Sequence, residues 1–355
     1  MPVRVQAVGD LAPGERHGGR RAGGVGLVLL GHDVIHSPPG RSTGWFPNRA
    51  HRASGRRTMT HVGESTDNST TTPDRPTTIP GRRPVPPLEP EWLIVDGLPL
   101  FHRMALRAGP DAPAIVHVHG FGVSGTYLEP TAALLATRYR TFVPDLPGVG
   151  RSIRPRHGLD LGGMARALVS YCDTVGVERP ILVGNSLGGS IIIEFASQYP
   201  DRISHAVLVS PAGGPNNLPL VRAIRQMALD GFRESPPMLR IAVRDYLRFG
   251  VIQSLDLFKA MTHYPTLERL HHLDAPTLVV VGERDPLVNL SRAFVLATVP
   301  HVRAVKVPGA HALNHSQPEV IADLVAAHVS GEPLIDPYAP RRVAEQVLIP
   351  RTEAG

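Results

Sequence analysis

The stretch Ile181-Leu182-Val183-Gly184-Asn185-Ser186-Leu187-Gly188-Gly189-Ser190-Ile191-Ile192-Ile193-Glu194-Phe195 decides how the rest of the chain is read. Ile181 to Gly184 fits a short buried strand, and Leu187 to Gln198 an apolar helix. Between them, Gly184, Gly188 and Gly189 leave room for strand and helix to approach, and Ser186 sits on the tight turn that joins the two. Such a turn holds the serine in a strained backbone conformation. It also aims the Leu187 N–H, at the start of a helix, toward the same point as the Ser186 hydroxyl, where a tetrahedral oxyanion would form. This is a nucleophile elbow, with Ser186 the candidate nucleophile and Leu187 the first candidate oxyanion donor.

Outward from the elbow, short β-branched runs alternate with helical stretches from Trp92 onward, the signature of a mostly parallel sheet flanked by helices, an α/β fold. Strands are predicted at Leu93 to Val95, Pro99 to Arg103, Ala114 to His119, Thr141 to Pro144, Ile181 to Gly184, Ala206 to Ser210, Thr277 to Gly282 and Ala304 to Val307. Helices are predicted at Tyr127 to Tyr139, Leu161 to Val175, Leu187 to Gln198, Ser291 to Thr298 and Pro318 to His328. Between Gly213 and Asp274 the alternation stops, and helical periodicity runs without a strand, as in Val221, Ile224, Ala228 and Phe232. An insertion of that size between two strands reads as a helical lid. The folded domain is thus expected over residues 91–331, with the lid at about 213–274 and a loose tail over 332–355.

Residues 1–90 are rich in Gly, Arg, Pro, Ser and Thr and show no sustained period, so they are expected not to pack. Met59 precedes the whole folded region, and residues 1–58 can be read as sequence upstream of the true start. They also carry the charge. Of the chain's net +6, nine Arg against three acids in residues 1–58 account for all of it, while the remainder balances. A nucleic-acid-binding face is therefore not expected. The chain has 355 residues, 42% of them hydrophobic, which suffices for one large core plus tails. No apolar run approaches the roughly 18 to 20 residues of a bilayer span, so stable membrane insertion is not expected. Cys172 is the only cysteine. No internal disulfide can form, a reduced cytoplasm is the expected compartment, and Cys172 reads as a small core hydrophobe.

A serine hydroxyl is a weak nucleophile until a base takes its proton, and the base needs an orienting acid. Asp285, in the loop Gly282-Glu283-Arg284-Asp285-Pro286 after a predicted strand, is the candidate acid, with Glu283 its nearest competitor. The loop after the last strand contains two histidines; His311, nearer the strand end, is the candidate base and His315 the alternative. The second oxyanion donor is assigned to the Phe121 N–H in His119-Gly120-Phe121-Gly122, with Gly122 as runner-up. His117 and His119 read as buried or loop-bonded histidines without a catalytic role.

Taken in order, four segments resemble the alpha/beta-hydrolase superfamily over Trp92 to Gly331: His119-Gly120-Phe121-Gly122, Asp145-Leu146-Pro147-Gly148-Val149-Gly150-Arg151-Ser152, the Ser186 elbow, and the Asp285 and His311 loops. The Asp145 segment resembles the family's turn after the fourth strand and is taken as structural. The resemblance implies an eight-stranded sheet with an inserted helical lid, a small-molecule acyl substrate, an acyl-enzyme on Ser186, and neither cofactor nor metal. Serine at the elbow disfavours the epoxide- and halide-displacing members, which place Asp there. Carboxylic ester hydrolysis is the expected chemistry. The alternatives are carbon-carbon hydrolysis of diketo acids, whose enzymes often have Trp where this chain has Ala312, and a fold-retaining binding protein with a silent site. In the lid, Arg240, Arg244 and Arg248 share one helix face, read as solvated or as meeting an anionic substrate. Phe232, Met238, Tyr246, Phe249, Phe258, Met261 and Tyr264 are expected to pack the lid or line an acyl pocket.

Overall fold

The computed structural model describes residues 85–213, 217–249, 251–264, 266–271, 273–288, 299 and 301–334. The expected front segment through residue 84, the helix at Ser291 to Thr298 and the tail from residue 335 lie outside the described residues. Eight strands form one sheet: β1 (Glu89–Val95), β2 (Leu98–Ala105), β3 (Ala114–Val118), β4 (Arg140–Pro144), β5 (Ile181–Asn185), β6 (His205–Val209), β7 (Thr277–Gly282) and β8 (Val302–Val307). Their spatial order is β1-β2-β4-β3-β5-β6-β7-β8. The β1–β2 and β2–β4 pairs are antiparallel and the rest are parallel, so the α/β, mostly parallel reading holds.

The parallel strands are mostly apolar because both faces of the sheet are covered. Side chains alternate between those faces. Leu182, Ala206, Leu208, Val279 and Val281 join one core with α2 (Leu161–Thr174) and α3 (Leu187–Gln198). Ile181, Val183, Val207, Val209, Leu278 and Val280 join the other, with α1 (Glu129–Leu135) and the last helix, Pro318–Ser330. Asp160 caps α2, its carboxylate accepting from Gly163 N at 2.7 Å. Cys172 is buried in the first of these cores.

Most boundaries shift from the sequence reading by about one or two residues, and two elements differ more. Strand β1 starts at Glu89 rather than Leu93, because pairing with β2 from Glu89↔Met104 to Val95↔Leu98 supplies hydrogen bonds that no hydrophobic pattern announces. The helix expected from Tyr127 is instead a 3-10 turn, Gly125–Leu128, followed by α1, which opens with Pro130 in its first turn and ends at Leu135.

Between β6 and β7 the described residues contain helices α4 (Leu220–Gly231), α5 (Pro236–Phe249), α6 (Val251–His263) and α7 (Thr266–Leu270), and no strand. Buried Asp245 of α5 ties this insertion to the β3 loop, its Oδ2 accepting from Ser124 N at 2.8 Å and from Ser124 Oγ at 2.6 Å. Phe121 packs edge-on against Phe249, with ring centroids 5.5 Å apart, and tilted against Phe258 at 5.1 Å. Val221, Ile224 and Phe232, whose spacing marked the helical insertion, are exposed, and Ile224 and Phe232 also line a cavity. After β8 come α8 (Leu313–Ser316) and α9 (Pro318–Ser330). Among the described residues no helix is long and apolar enough to cross a membrane.

Candidate active site

The site forms where β3, β5, β7 and β8 deliver their loops to one end of the sheet. At the elbow between β5 and α3, Ser186 has φ +57° and ψ −121°, a left-handed conformation that costs a non-glycine residue on the order of 1 to 3 kcal/mol. The turn is enforced from outside: Ser186 N donates to Val209 O of β6 at 3.0 Å, and a Cβ at Gly184 would lie 2.6 Å from the Gly188 carbonyl. A side chain at Gly188 would drive into the Val118 carbonyl of β3. Only glycine lets helix and strand meet this closely.

His311 Nδ1 donates to Asp285 Oδ2 at 2.8 Å, and Asp285 Oδ1 accepts from Leu287 N at 2.8 Å. The aspartate is thus held by its own loop and aimed at the imidazole, leaving Nε2 for proton exchange. Ser186 and His311 line the same cavity. The rival acid, Glu283, pairs with Lys306 at 3.1 Å. The rival base, His315, has Ser235 Oγ at 3.5 Å from its Nδ1 rather than a carboxylate.

Leu187 is the first residue of α3, so its N–H has no partner one turn back in the helix. The β3 loop packs directly on the elbow, where a Cβ at Gly120 would sit 3.3 Å from Ser186 Cβ. Gly120 N donates to Tyr127 Oη at 2.8 Å, which leaves Phe121 N–H, next in the chain, as the second candidate oxyanion donor. His119 ties this loop to the Asp145 turn, its Nε2 accepting from Leu146 N at 2.9 Å, and burial lowers its pKa. Asp145 accepts from Arg103 Nη1 and Gly125 N, both at 2.8 Å, as a structural turn anchor. His117 is fully buried, and burial pushes its pKa down to about 3.

Sequence reasoning missed two groups. Tyr127 Oη donates to Asn185 Oδ1 at 2.9 Å, and Asn185 Nδ2 donates to Val209 O and His311 O, both at 3.0 Å. One buried Tyr-Asn pair thereby fixes the β3 loop, the elbow and the His311 loop against one another. The available signal was the polar residue just before the elbow serine; Tyr127 offered none. The second group is Asp230 and Glu234, at the α4–α5 junction. Asp230 Oδ1 accepts from His311 N at 3.3 Å, and Glu234 Oε1 accepts from Ala312 N at 2.7 Å. Burial raises the pKa of Asp230 to about 6 and also raises that of Glu234. For His311, burial disfavours the charged imidazolium. The charge and hydrogen bond of Asp285, reinforced by Asp230 and Glu234, outweigh it and raise the pKa to about 9.

The cavity holds about 710 Å³ and is walled by apolar side chains including Phe121, Met227, Met238, Phe258 and Met261. Its charged side chains, among the described residues, are Asp230, Glu234 and His311; Arg240, Arg244 and Arg248 do not line it. Among the described residues no group of three or more His, Cys, Asp or Glu is arranged to hold a metal ion.

A model of the alpha/beta hydrolase family matches residues 115–324, more than half of the chain. The chain belongs to the alpha/beta hydrolase family. An uncharacterised Mycobacterium tuberculosis relative is 31% identical to this family member over 140 residues, 39% of this chain and 40% of that protein, so the match spans less than half of the relative's length. Carboxylesterase YbfK of Bacillus subtilis is 26% identical over 256 residues, 64% of this chain and 83% of that one. Its crystal structure aligns with a TM-score of 0.57 at 23% identity, covering 69% of this chain and 92% of that one, a likeness of fold. A 2-hydroxy-6-oxononadienedioate/2-hydroxy-6-oxononatrienedioate hydrolase of Paraburkholderia phymatum is 30% identical over 214 residues, 52% of this family member and 74% of that enzyme.

Proposed function

We propose that this chain is a serine hydrolase that cleaves a carboxylic ester through an acyl-enzyme on Ser186. Ser186 Oγ attacks the ester carbonyl while His311 Nε2 takes its proton. The tetrahedral oxyanion is held by the N–H groups of Leu187 and Phe121. His311 then gives the proton to the departing alkoxide, and the alcohol leaves. Water attacks the acyl-enzyme by the same route, with His311 again the base and Ser186 regained. Asp285 holds the imidazole in the tautomer with its proton on Nδ1.

The observation that carries this reading is the 2.8 Å bond from His311 to Asp285 in a cavity that Ser186 also lines. The cavity supports an ester of an uncharged acyl group. Its volume falls within the roughly 300 to 1,000 Å³ common for small-molecule sites, and α4 and α5 form a lid of apolar walls over it. The dienedioate named for the Paraburkholderia phymatum relative carries two carboxylates; here such a substrate would face Asp230 and Glu234, with no Arg or Lys among the described lining residues.

A fluorophosphonate probe is expected to label the wild-type chain and not Ser186→Ala, and p-nitrophenyl esters of medium acyl length to lose about a thousandfold or more of their turnover in that variant. Folded wild type that neither takes up the probe nor turns over any ester overturns the reading in favour of a silent binding protein.

A further inference from the structure

The outer surface of helices α4 and α5 differs from the rest of the molecule. Eight of the twelve large hydrophobic side chains exposed among the described residues lie within residues 220–249. On α4 and its C-terminal cap these include Val221, 76% exposed, and Phe232, 90% exposed. On α5, Leu239, Val243 and Leu247 recur every fourth residue and form one stripe, Leu247 being 82% exposed. Exposed apolar side chains gathered in this way on two helices that border one cavity mark a contact site.

Charge is sorted on the same surface. The segment carries six arginines, Arg222, Arg225, Arg233, Arg240, Arg244 and Arg248, and all six are exposed. Its three acids bond inward, Asp230 and Glu234 to the His311 loop and Asp245 to Ser124, and Asp245 also pairs with one of these arginines, Arg244, at 2.9 Å. Arg240, Arg244 and Arg248 each follow one residue after the apolar stripe of α5, so the basic row runs beside it. The apolar rim leads into the cavity, since Ile224, Phe232, Leu239 and Val243 are both exposed and cavity-lining.

We propose that this face of α4 and α5 docks on an anionic lipid surface, with the apolar side chains entering the headgroup boundary and the arginines meeting lipid phosphates. A helix face that combines exposed Phe, Leu and Val with flanking arginines fits such an interface. Other occupants lack the complementary charge. The chain's own residues 1–58 carry nine Arg against three acids, residues 59–84 and 335–355 each carry three of each sign, and a second copy would bring the same basic face. A nucleic acid would match the arginines and leave the apolar stripes unanswered. The proposal goes beyond ester hydrolysis and does not depend on it.

The test is co-sedimentation of the full chain with vesicles of phosphatidylcholine containing about one third phosphatidylglycerol, against vesicles of phosphatidylcholine alone. Wild type is expected to bind the anionic vesicles at least about tenfold more tightly, with the difference shrinking in high salt. Val221→Ser/Leu247→Ser and Arg240→Gln/Arg248→Gln, at positions outside the cavity wall, are each expected to weaken vesicle binding about tenfold or more. Both should leave turnover of a water-soluble short-chain ester unchanged. Ser186→Ala should bind vesicles as the wild type does, which separates docking from chemistry. Wild type that stays in the supernatant with anionic vesicles, or double variants that bind as well as wild type, overturn the proposal. A concentration-dependent dimer abolished by Val221→Ser/Leu247→Ser, with no vesicle binding, assigns the face to a second copy and overturns it equally.

Discussion

The loops at the end of the sheet and the helical insertion above them meet in one cavity but are built on opposite terms. In the sheet-borne region, buried hydrogen bonds of Tyr127, Asn185 and Asp285 tie the β3 loop, the elbow and the His311 loop together over strands that are mostly apolar and buried. The insertion meets that region through polar contacts that include Asp245 on Ser124, Arg233 on the Arg284 carbonyl at 2.6 Å and the Asp230 and Glu234 bonds to the His311 loop, and through Phe249 and Phe258 packed on Phe121. Elsewhere it offers arginines and apolar side chains to solvent. The difference teaches that the arrangement of Ser186, His311 and Asp285 is held by the loops of the sheet, while α4 and α5 wall the cavity and bring Asp230 and Glu234 to the His311 loop.

The largest expected effect tests the sheet side. His311→Ala should lower kcat by about a thousandfold or more, whereas His315→Ala should stay within a few fold of wild type; near-normal steady-state turnover in the first would move the base to the insertion-facing histidine and erase the contrast. Next comes Asn185→Ala. It strips Tyr127 Oη and the carbonyls of Val209 and His311 of a buried partner. Unfolding free energy should drop by about 2 to 4 kcal/mol, with a loss of kcat as the His311 loop loosens. Unchanged denaturant midpoints would show that the three loops hold without it.

The smallest effect tests the insertion. The base must be neutral, so with His311 raised to about 9 the rising limb of the pH-rate profile lies on the alkaline side. Removing the nearby negative charges with Asp230→Asn/Glu234→Gln makes the imidazolium less favourable and lowers that pKa. The limb should then shift by about one unit toward acid, raising turnover near neutrality. A limb that stays in place would mean that the insertion contributes walls and no electrostatics.

The fold was readable because its decisive signals are local. Apolar runs such as Ile181 to Val183 and Thr277 to Val281 announce buried parallel strands, and the glycines around Ser186 announce the turn. The pairing of Asp285 with His311 was also within reach, since each follows a strand on a short loop. What stayed hidden depends on convergence across the chain. Asn185 meets the His311 carbonyl across 126 positions, and Asp230 meets the His311 N–H across 81, with no spacing rule to connect them. Glu89 to Glu91 look like a polar linker until β2 supplies their partners. On α4 the amphipathic period announced a helix correctly; such a period shows that one face is apolar, not what covers it.

The backbone at Ser186 sits where a residue bearing a side chain is held uphill for as long as the fold persists. Glycine at that one position would relieve the tension and erase the hydroxyl together. For this sequence, then, a short path toward greater heat resistance runs straight through the loss of its candidate nucleophile.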